Sequence, residues 1–287
     1  MYYIFLETII SKMEKNDTIK KYSNSLNIDI LESIDYKQKL HHFSWSIYCT
    51  HISNVANTEP LDLDTLYAVE LLGLTAMLID DGLDKDTDLF QKSGTDYLFL
   101  LSTELLVESL EIFKKSPLFD YGLLKAALHA EFKDFTTILN GEKLTLDFYF
   151  EEILPKSAAI FQLFTKLASS SDSHLNKFAI HYGNYIQIIN DISDFLSNCS
   201  SDIPLLKSSL PLLLGVNTLD LKRNKKILHS LKNNENLVTI RKKIIATGAL
   251  DFSQQLMEIE KKRALSALNN ISFSNHLTRL KYYLELE

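Results

Sequence analysis

The sequence predicts an all-α protein, a bundle of about ten or more helices, and three observations carry that expectation. Eight Gly and five Pro in 287 residues are far too few turn-formers for a sandwich or a barrel with a dozen tight turns. Apolar residues recur at helical spacing along most of the chain. Short polar clusters interrupt the pattern where one helix should end and the next begin.

Taken in order, the punctuation falls at Asn16-Asp17, Ser23-Asn24-Ser25, Asn57-Thr58-Glu59-Pro60, Ser116-Pro117, Asn140-Gly141, Ser169-Ser170-Ser171-Asp172 and Asn233-Asn234. Between these breaks, Leu66, Val69, Leu72, Gly73, Ala76 and Met77 form a repeat that runs into Asp80. Phe178, Tyr182, Ile186, Ile189, Ile192 and Phe195 form another. Both segments are apolar on more than one face, as expected of inner helices. The stretch Asn198 to Pro204 is the most loop-like part of the interior. No internal repeat, heptad array or low-complexity tract is present.

With 46% hydrophobic and 23% charged residues the chain can bury a large core, which excludes a disordered or collagen-like protein. No linker or composition shift divides it, so residues 1–287 are expected to form a single domain. A net charge of −7 disfavours nucleic acid and anionic lipid as partners. Cys49 and Cys199 are too few and too far apart for a disulfide framework or a metal-binding cluster, which fits a cytoplasmic location. Met1 to Ile10 is apolar but lacks a basic flank, and no run is long enough to span a bilayer, so neither export nor membrane insertion is expected.

Two acidic clusters stand out. Residues 80–88 read Asp-Asp-Gly-Leu-Asp-Lys-Asp-Thr-Asp directly after an apolar run. If the helix continues, Asp80 and Asp84 repel one turn apart; if it stops near Gly82, carboxylates crowd the negative end of its dipole. A divalent cation relieves either penalty, and a solvated acidic loop is the plain alternative. In the second cluster Gln187, Asp191 and Asp194 fall at i, i+4 and i+7, one polar stripe on an otherwise apolar helix. Buried carboxylates need partners. Two helices facing each other across metal ions and a polyanion would supply them, whereas a solvent-exposed stripe would need none.

This pairing resembles the all-trans isoprenoid synthases, whose helical bundle surrounds a central active-site cavity and carries a DDxxD motif on each of two facing helices. Asp80-Asp81-Gly82-Leu83-Asp84 matches the first motif in full, and Asn190-Asp191-Ile192-Ser193-Asp194 matches the second with Asn in its first place. Gly141-Glu142 and Lys156-Ser157 follow the family's order, the latter similar to its lysine-threonine pair. Gln187 sits at the family's Phe-Gln glutamine. Lys207-Ser208-Ser209-Leu210-Pro211 resembles the Lys-x-Thr-Leu-Pro segment, and Thr247-Gly248-Ala249 with Ala264 and Leu268 also fits. The resemblance covers roughly residues 60 to 270.

What the resemblance implies is a magnesium-dependent prenyltransferase that binds two or three Mg2+ ions. Asp80, Asp81, Asp84, Asn190, Asp191 and Asp194 would hold the metal. Asp81, Lys156, Lys207 and Gln187 would bind the allylic prenyl diphosphate, with Asp80, Asp84, Asp191, Lys156 and Lys207 carrying catalysis by neutralising the leaving diphosphate. The cation left behind needs a dry pocket, expected around Thr75, Ala76, Met77 and Leu101. In the family, bulky residues four and five positions before the first motif plug that pocket. Here those places hold Ala76 and Thr75, which are small, so a farnesyl or geranylgeranyl tail is expected. Family members are commonly homodimers.

The departures concern the acceptor. Chain-elongating members hold isopentenyl diphosphate with a Gly-Gly-Lys-x-x-Arg-Pro segment, a histidine seven residues before the first motif and an arginine pair after it. Here no arginine precedes Arg223, Gly73 stands at the histidine position, and Asp88 to Gly94 holds no arginine. Lys37, Lys39 or Lys92 supply charge but not a bidentate clamp. The pattern is similar to that of the competence-pheromone isoprenyltransferases of bacterial quorum sensing, which implies transfer to a tryptophan of a precursor peptide. The alternatives are a terpene cyclase, whose second motif fits Asp194 and Asn198 poorly, a trans-polyprenyl diphosphate synthase, and a non-catalytic binding subunit. The remaining candidates read as structural: His41-His42 as surface or cap residues, Trp45 as core, Lys222 to Lys226 as a helix-end charge run, Tyr282-Tyr283 as packing for the last helix.

Overall fold

The computed structural model describes residues 2–36, 38, 40, 43–85, 87–137, 139, 144–170, 172–197, 202–205, 207–216, 236–269, 271 and 275–283. Its regular structure is helical, and no β-strand occurs among the described residues. Two compact units emerge. One comprises Met1–Phe119, Phe164–Leu175 and Ile271–Glu287, the other Asp120–Leu163 and Asn176–Asn270. Lys37, Lys39, His41-His42, Asn140, Gly141-Glu142, Ser171, residues 198–201 with Cys199, Lys222 to Lys226 and Asn233-Asn234 lie outside the described residues.

The first unit begins with α1 (Tyr2–Lys15), α2 (Asp17–Leu26), α3 (Ile30–Ser33), α4 (Trp45–Ala56) and α5 (Leu63–Asp84). It continues with α6 (Asp88–Ser93) and α7 (Thr95–Phe113). Five of these starts are capped by their own sequence: Asn16, Asp29, Ser44, Asp62 and Thr87 accept hydrogen bonds from backbone N–H groups of the first turn of α2 to α6. Asn27 and Asn57 close α2 and α4 in the left-handed conformation that asparagine tolerates. Ser23-Asn24-Ser25, expected at a boundary, instead forms the last turn of α2, where the Ser25 hydroxyl donates back to the Tyr22 carbonyl.

Helix α5 is the centre of this unit. Leu66, Val69, Leu71, Leu72, Leu74 and Leu78 are buried all round it, which is why its sequence is apolar on several faces. Glu70 is buried among them. Its carboxylate accepts from the Ser44 hydroxyl, from the Ser46 N–H at 2.8 Å and from the Tyr36 hydroxyl at 3.4 Å, so a core carboxylate holds the start of α4. Left without those donors it would cost several kcal/mol. At Gly73 a Cβ would lie 2.3 Å from Trp45 Cδ1; only glycine lets the indole rest on α5, where it also meets Phe43 and Phe164.

The second unit holds α8 (Tyr121–Thr136), α9 (Leu146–Phe148) and a π-helical turn (Tyr149–Ile153). There follow α10 (Pro155–Ser169), α11 (Ser173–Leu196), α12 (Asp202–Leu205), α13 (Leu210–Val216), α14 (Leu237–Ile245) and α15 (Ala249–Leu268). Phe164 to Ser169 of α10 and the first residues of α11 are counted with the first unit. Helix α10 opens on Pro155, whose missing N–H would have had no helical partner anyway. The α10–α11 crossing depends on Gly183, where a Cβ would stand 2.5 Å from Ala158 Cα. That close approach sets Ser157 beside Gln187. The α11 terminus is closed by Arg241, whose guanidinium donates to the carbonyls of Phe195 at 2.7 Å and Ser197 at 2.6 Å. Asp202–Leu205, expected as loop, is helical. Pro204 falls in its first turn, where no N–H is required.

The last helix, α16 (Asn275–Tyr283), returns to the first unit, where His276 Nδ1 lies 3.1 Å from His51 Nδ1. Leu277 and Leu280 form its buried face, so Tyr282, expected to pack it, is 52% exposed. Tyr283's side chain lies outside the described residues.

Candidate functional site

The first acidic cluster closes α5. The helix does not stop at Gly82 but runs to Asp84, and Lys85 terminates it in the left-handed region with φ 61°. Asp80 and Asp84 therefore share one face a turn apart, with Asp81 beside them, all three partly exposed. This is the arrangement expected to be unfavourable: three carboxylates in the last five residues, at the negative end of the dipole. Asp88 escapes it by entering the first turn of α6, where a carboxylate is favourable. Upstream on α5 the residues expected to line the hydrocarbon pocket part ways. Ala76 is exposed and Met77 half-buried. Thr75 is packed at 2% exposure with its hydroxyl donating to Leu71 O, and Leu101 of α7 is fully buried.

The second cluster sits in the last three turns of α11, within the second unit. Gln187 and Asp191 are buried, Asp194 is partly exposed and Asn190 is exposed. Asp191 is the best-connected of them. Its Oδ2 accepts from the Tyr149 hydroxyl at 2.7 Å and from the Leu210 N–H at 2.7 Å, and its Oδ1 accepts from Gln187 Nε2 at 3.1 Å. The Ser157 hydroxyl donates to Gln187 Oε1 at 2.7 Å, which fixes the direction of the amide. One network thus joins the π-turn, the start of α10, the C-terminal half of α11 and the start of α13.

Both expected lysines belong to the same unit, each against carboxylates. Lys156 Nζ is 3.2 Å from Asp134 and 3.3 Å from Glu131, both on α8. Lys207, 9% exposed, lies 3.7 Å from Asp202. Burial pushes Asp191 up to about 8, and the negative charge of Asp134 adds to the shift. The bonds from Tyr149 and Leu210 pull against it. Asp202 is raised by burial and held down by Lys207. Without a cation, Asp191 keeps its proton near neutrality.

Sequence reasoning singled out Gln187, Asp191, Lys156 and Lys207, and the second unit brings them onto connected elements. It missed Tyr149, Glu131, Asp134 and Asp202. Tyr149 hides in the apolar run Phe148-Tyr149-Phe150, and the acidic partners of the lysines are spread over two helices without a spacing signal. Among the described residues no three His, Cys, Asp or Glu side chains cluster so as to hold a metal by themselves. The candidate donors are all oxygen atoms, suited to a hard cation that keeps water or phosphate for the rest of its shell. The Ser208 hydroxyl beside Lys207 is fully buried with no hydrogen-bond partner among the described residues, an unspent polar group next to a buried cationic side chain.

No family model matches the chain. Curated relatives do. The all-trans-nonaprenyl-diphosphate synthase (geranyl-diphosphate specific) of Rhodobacter capsulatus is 30% identical over 52% of this chain and 56% of its own length. Heptaprenyl diphosphate synthase component 2 of Bacillus subtilis is 28% identical over 43% of this chain and 39% of its own. The match thus spans about half or less of the curated relatives' length. Among solved structures, geranylgeranyl pyrophosphate synthase from Lactobacillus brevis superposes with a TM-score of 0.78 at 19% identity, covering 98% of this chain and 95% of that one. A polyprenyl synthase from Caulobacter crescentus, complexed with calcium and isoprenyl diphosphate, gives 0.71 at 18%, covering 84% and 82%. The chain has the all-α fold of these synthases.

Proposed function

We propose that this chain is a divalent-cation-dependent prenyltransferase that ionises an allylic prenyl diphosphate and adds the prenyl group to isopentenyl diphosphate, as a trans-polyprenyl diphosphate synthase does. The observation that carries the reading is the Asp191 network, a buried carboxylate held by three donors in the same unit as Lys156 and Lys207. It is supported by the fold and by the two curated relatives, both named as synthases of polyprenyl diphosphates.

On this reading Asp80, Asp81 and Asp84 in the first unit, and Asn190, Asp191 and Asp194 in the second, are each candidate ligands of Mg2+, which when bound would neutralise the leaving diphosphate. Lys156 and Lys207 add point charges toward its oxygens, and the carboxylates now beside them keep each ammonium oriented in the resting protein. Gln187 holds the amide orientation that Ser157 imposes. The allylic tail lies along the face of α5 that carries Ala76 and Met77, where small and flexible side chains leave room for a long chain. Lys37, Lys39 and Lys92 remain the candidates for charge toward the acceptor.

The peptide tryptophan expected as acceptor from the missing arginines has no support among the relatives, and elongation takes its place. An acceptor without a diphosphate stays as a second reading on one observation: the histidine position is Gly73, and the Trp45 indole fills the space its side chain would need. The test is to incubate the protein with Mg2+, farnesyl or geranylgeranyl diphosphate, and either isopentenyl diphosphate or a Trp-containing peptide, and to weigh the products. Longer prenyl diphosphates that vanish with EDTA are the expected outcome. A prenylated peptide or a hydrocarbon would transfer the assignment to another acceptor, and no diphosphate release from any donor would end it.

A further inference from the structure

Tyr149 is fully buried in an apolar cluster with Ile153, Leu154, Ile188, Ile192, Leu210 and Leu213. The π-helical turn that begins with it is closed by the Leu154 N–H donating to the Tyr149 carbonyl at 3.0 Å, a five-residue span. Such a turn inserts a residue into the helical register and is frequent at functional sites. Here Tyr149 and Ile153 both face the core, while Glu151 stays exposed. A ring packed on all sides has one place for its hydroxyl, and that place is Asp191 Oδ2.

From this geometry we infer that Tyr149 is a positioning residue for Asp191: with the Leu210 N–H it saturates Oδ2, so that Oδ1 is the oxygen presented to a cation. Two bonds of 2.7 Å occupy Oδ2, whereas Oδ1 carries a single bond of 3.1 Å from Gln187, the more easily released. Tyr149 acts through Asp191 and touches neither substrate nor metal. A carboxylate fixed on one oxygen by a ring and a backbone amide coordinates through the other without first losing rotamer freedom. The inference rests on the reading of Asp191 as a cation ligand and adds the residue that aims it.

The test measures Mn2+ binding, with inorganic diphosphate as the anion, by titration calorimetry and by the Mn2+ spin-resonance signal in wild type and Tyr149→Phe. The variant keeps the ring and removes only the hydroxyl. The expected result is an affinity lowered about tenfold at a temperature where both proteins are folded. A purely structural role would lower the unfolding midpoint and leave that affinity alone, and an affinity within twofold of wild type overturns the inference. A crystal of Tyr149→Phe grown with Mn2+ and diphosphate reads the same point without a titration: the ion on both oxygens of Asp191, or on Oδ2, supports the role, and unchanged coordination through Oδ1 defeats it. Wild type that binds no Mn2+ under these conditions removes the ligand assignment itself, and the inference with it.

Discussion

The C-terminal ends of α5 and α11 carry nearly the same five-residue pattern in opposite surroundings. On α5 the aspartates occupy the last turn, partly exposed, beyond an apolar helix that ends in a left-handed lysine. On α11, which ends at Leu196, the leading aspartate lies little more than a turn before the end, 6% exposed, with every carboxylate oxygen hydrogen-bonded. The first is a charged terminus whose carboxylates stand at the unfavourable end of the helix dipole. The second is a preorganised group whose charge is suppressed by burial. A shared motif therefore does not mean a shared physical role, and the two ends respond differently to the same substitutions.

The sharpest separation comes from removing one carboxylate at each place. Asp80→Ala and Asp191→Ala are both expected to lower Mg2+-dependent diphosphate release by two to three orders of magnitude, read by a diphosphate-coupled assay. Only Asp191→Ala should also cost stability, about 2 to 4 kcal/mol by urea unfolding, because it strands the Tyr149 hydroxyl and the Leu210 N–H in the core. Equal stability in the two variants would mean that the α11 network holds nothing together. The crossing that supports α11 is the next target. In Gly183→Val the side chain meets the backbone of Ala158, with an expected loss of about 1 to 3 kcal/mol and a weaker diphosphate affinity as Ser157 moves off Gln187.

Proton linkage separates the two sites further. The folded-state pKa of Asp191 is raised to about 8, so the folded protein holds a proton that the unfolded chain gives up near 4. Stability from this group is fully present below pH 4 and lost as pH climbs toward 8. In the absence of divalent cations the wild-type unfolding free energy should fall between pH 6 and pH 8.5, whereas Asp191→Asn, which mimics the protonated group, should flatten that slope and Asp80→Asn should leave it unchanged. Parallel slopes in all three would place the linked proton elsewhere. The smallest effect belongs to the α5 terminus. Lys85→Gly relieves a left-handed lysine and should add up to about 1 kcal/mol in the same unfolding measurement.

Much of this was legible in the residues. The inner-helix character of α5 and α11 followed from apolar periodicity. The caps at Asn16, Asn57 and Asp62 lie at or beside clusters of the kind that side-chain capping produces. Gln187 and Asp191 announced themselves as polar positions on a buried face. The boundary expected at Ser23 to Ser25 failed because small polar residues satisfy themselves within a helix as readily as at its end. The loop expected near Pro204 failed because proline is tolerated in a first turn. Tyr149 left no trace, since an aromatic residue among aromatics looks like packing until its hydroxyl is located.

Periodicity, capping chemistry and the two acidic motifs depend on neighbours a few residues apart, so the linear order alone determined the helical class, many of the helix limits and the candidate ligands. The partners that spend Oδ2 of Asp191 and those that hold Lys156 lie 19 to 42 positions away, whereas Lys207 meets Asp202 only five positions away. Tyr149 and Asp191, 42 apart, and Leu210 and Asp191, 19 apart, meet only where apolar faces pack. Burial and the direction of a hydrogen bond are properties of that packing, which is why the tertiary structure alone decided them.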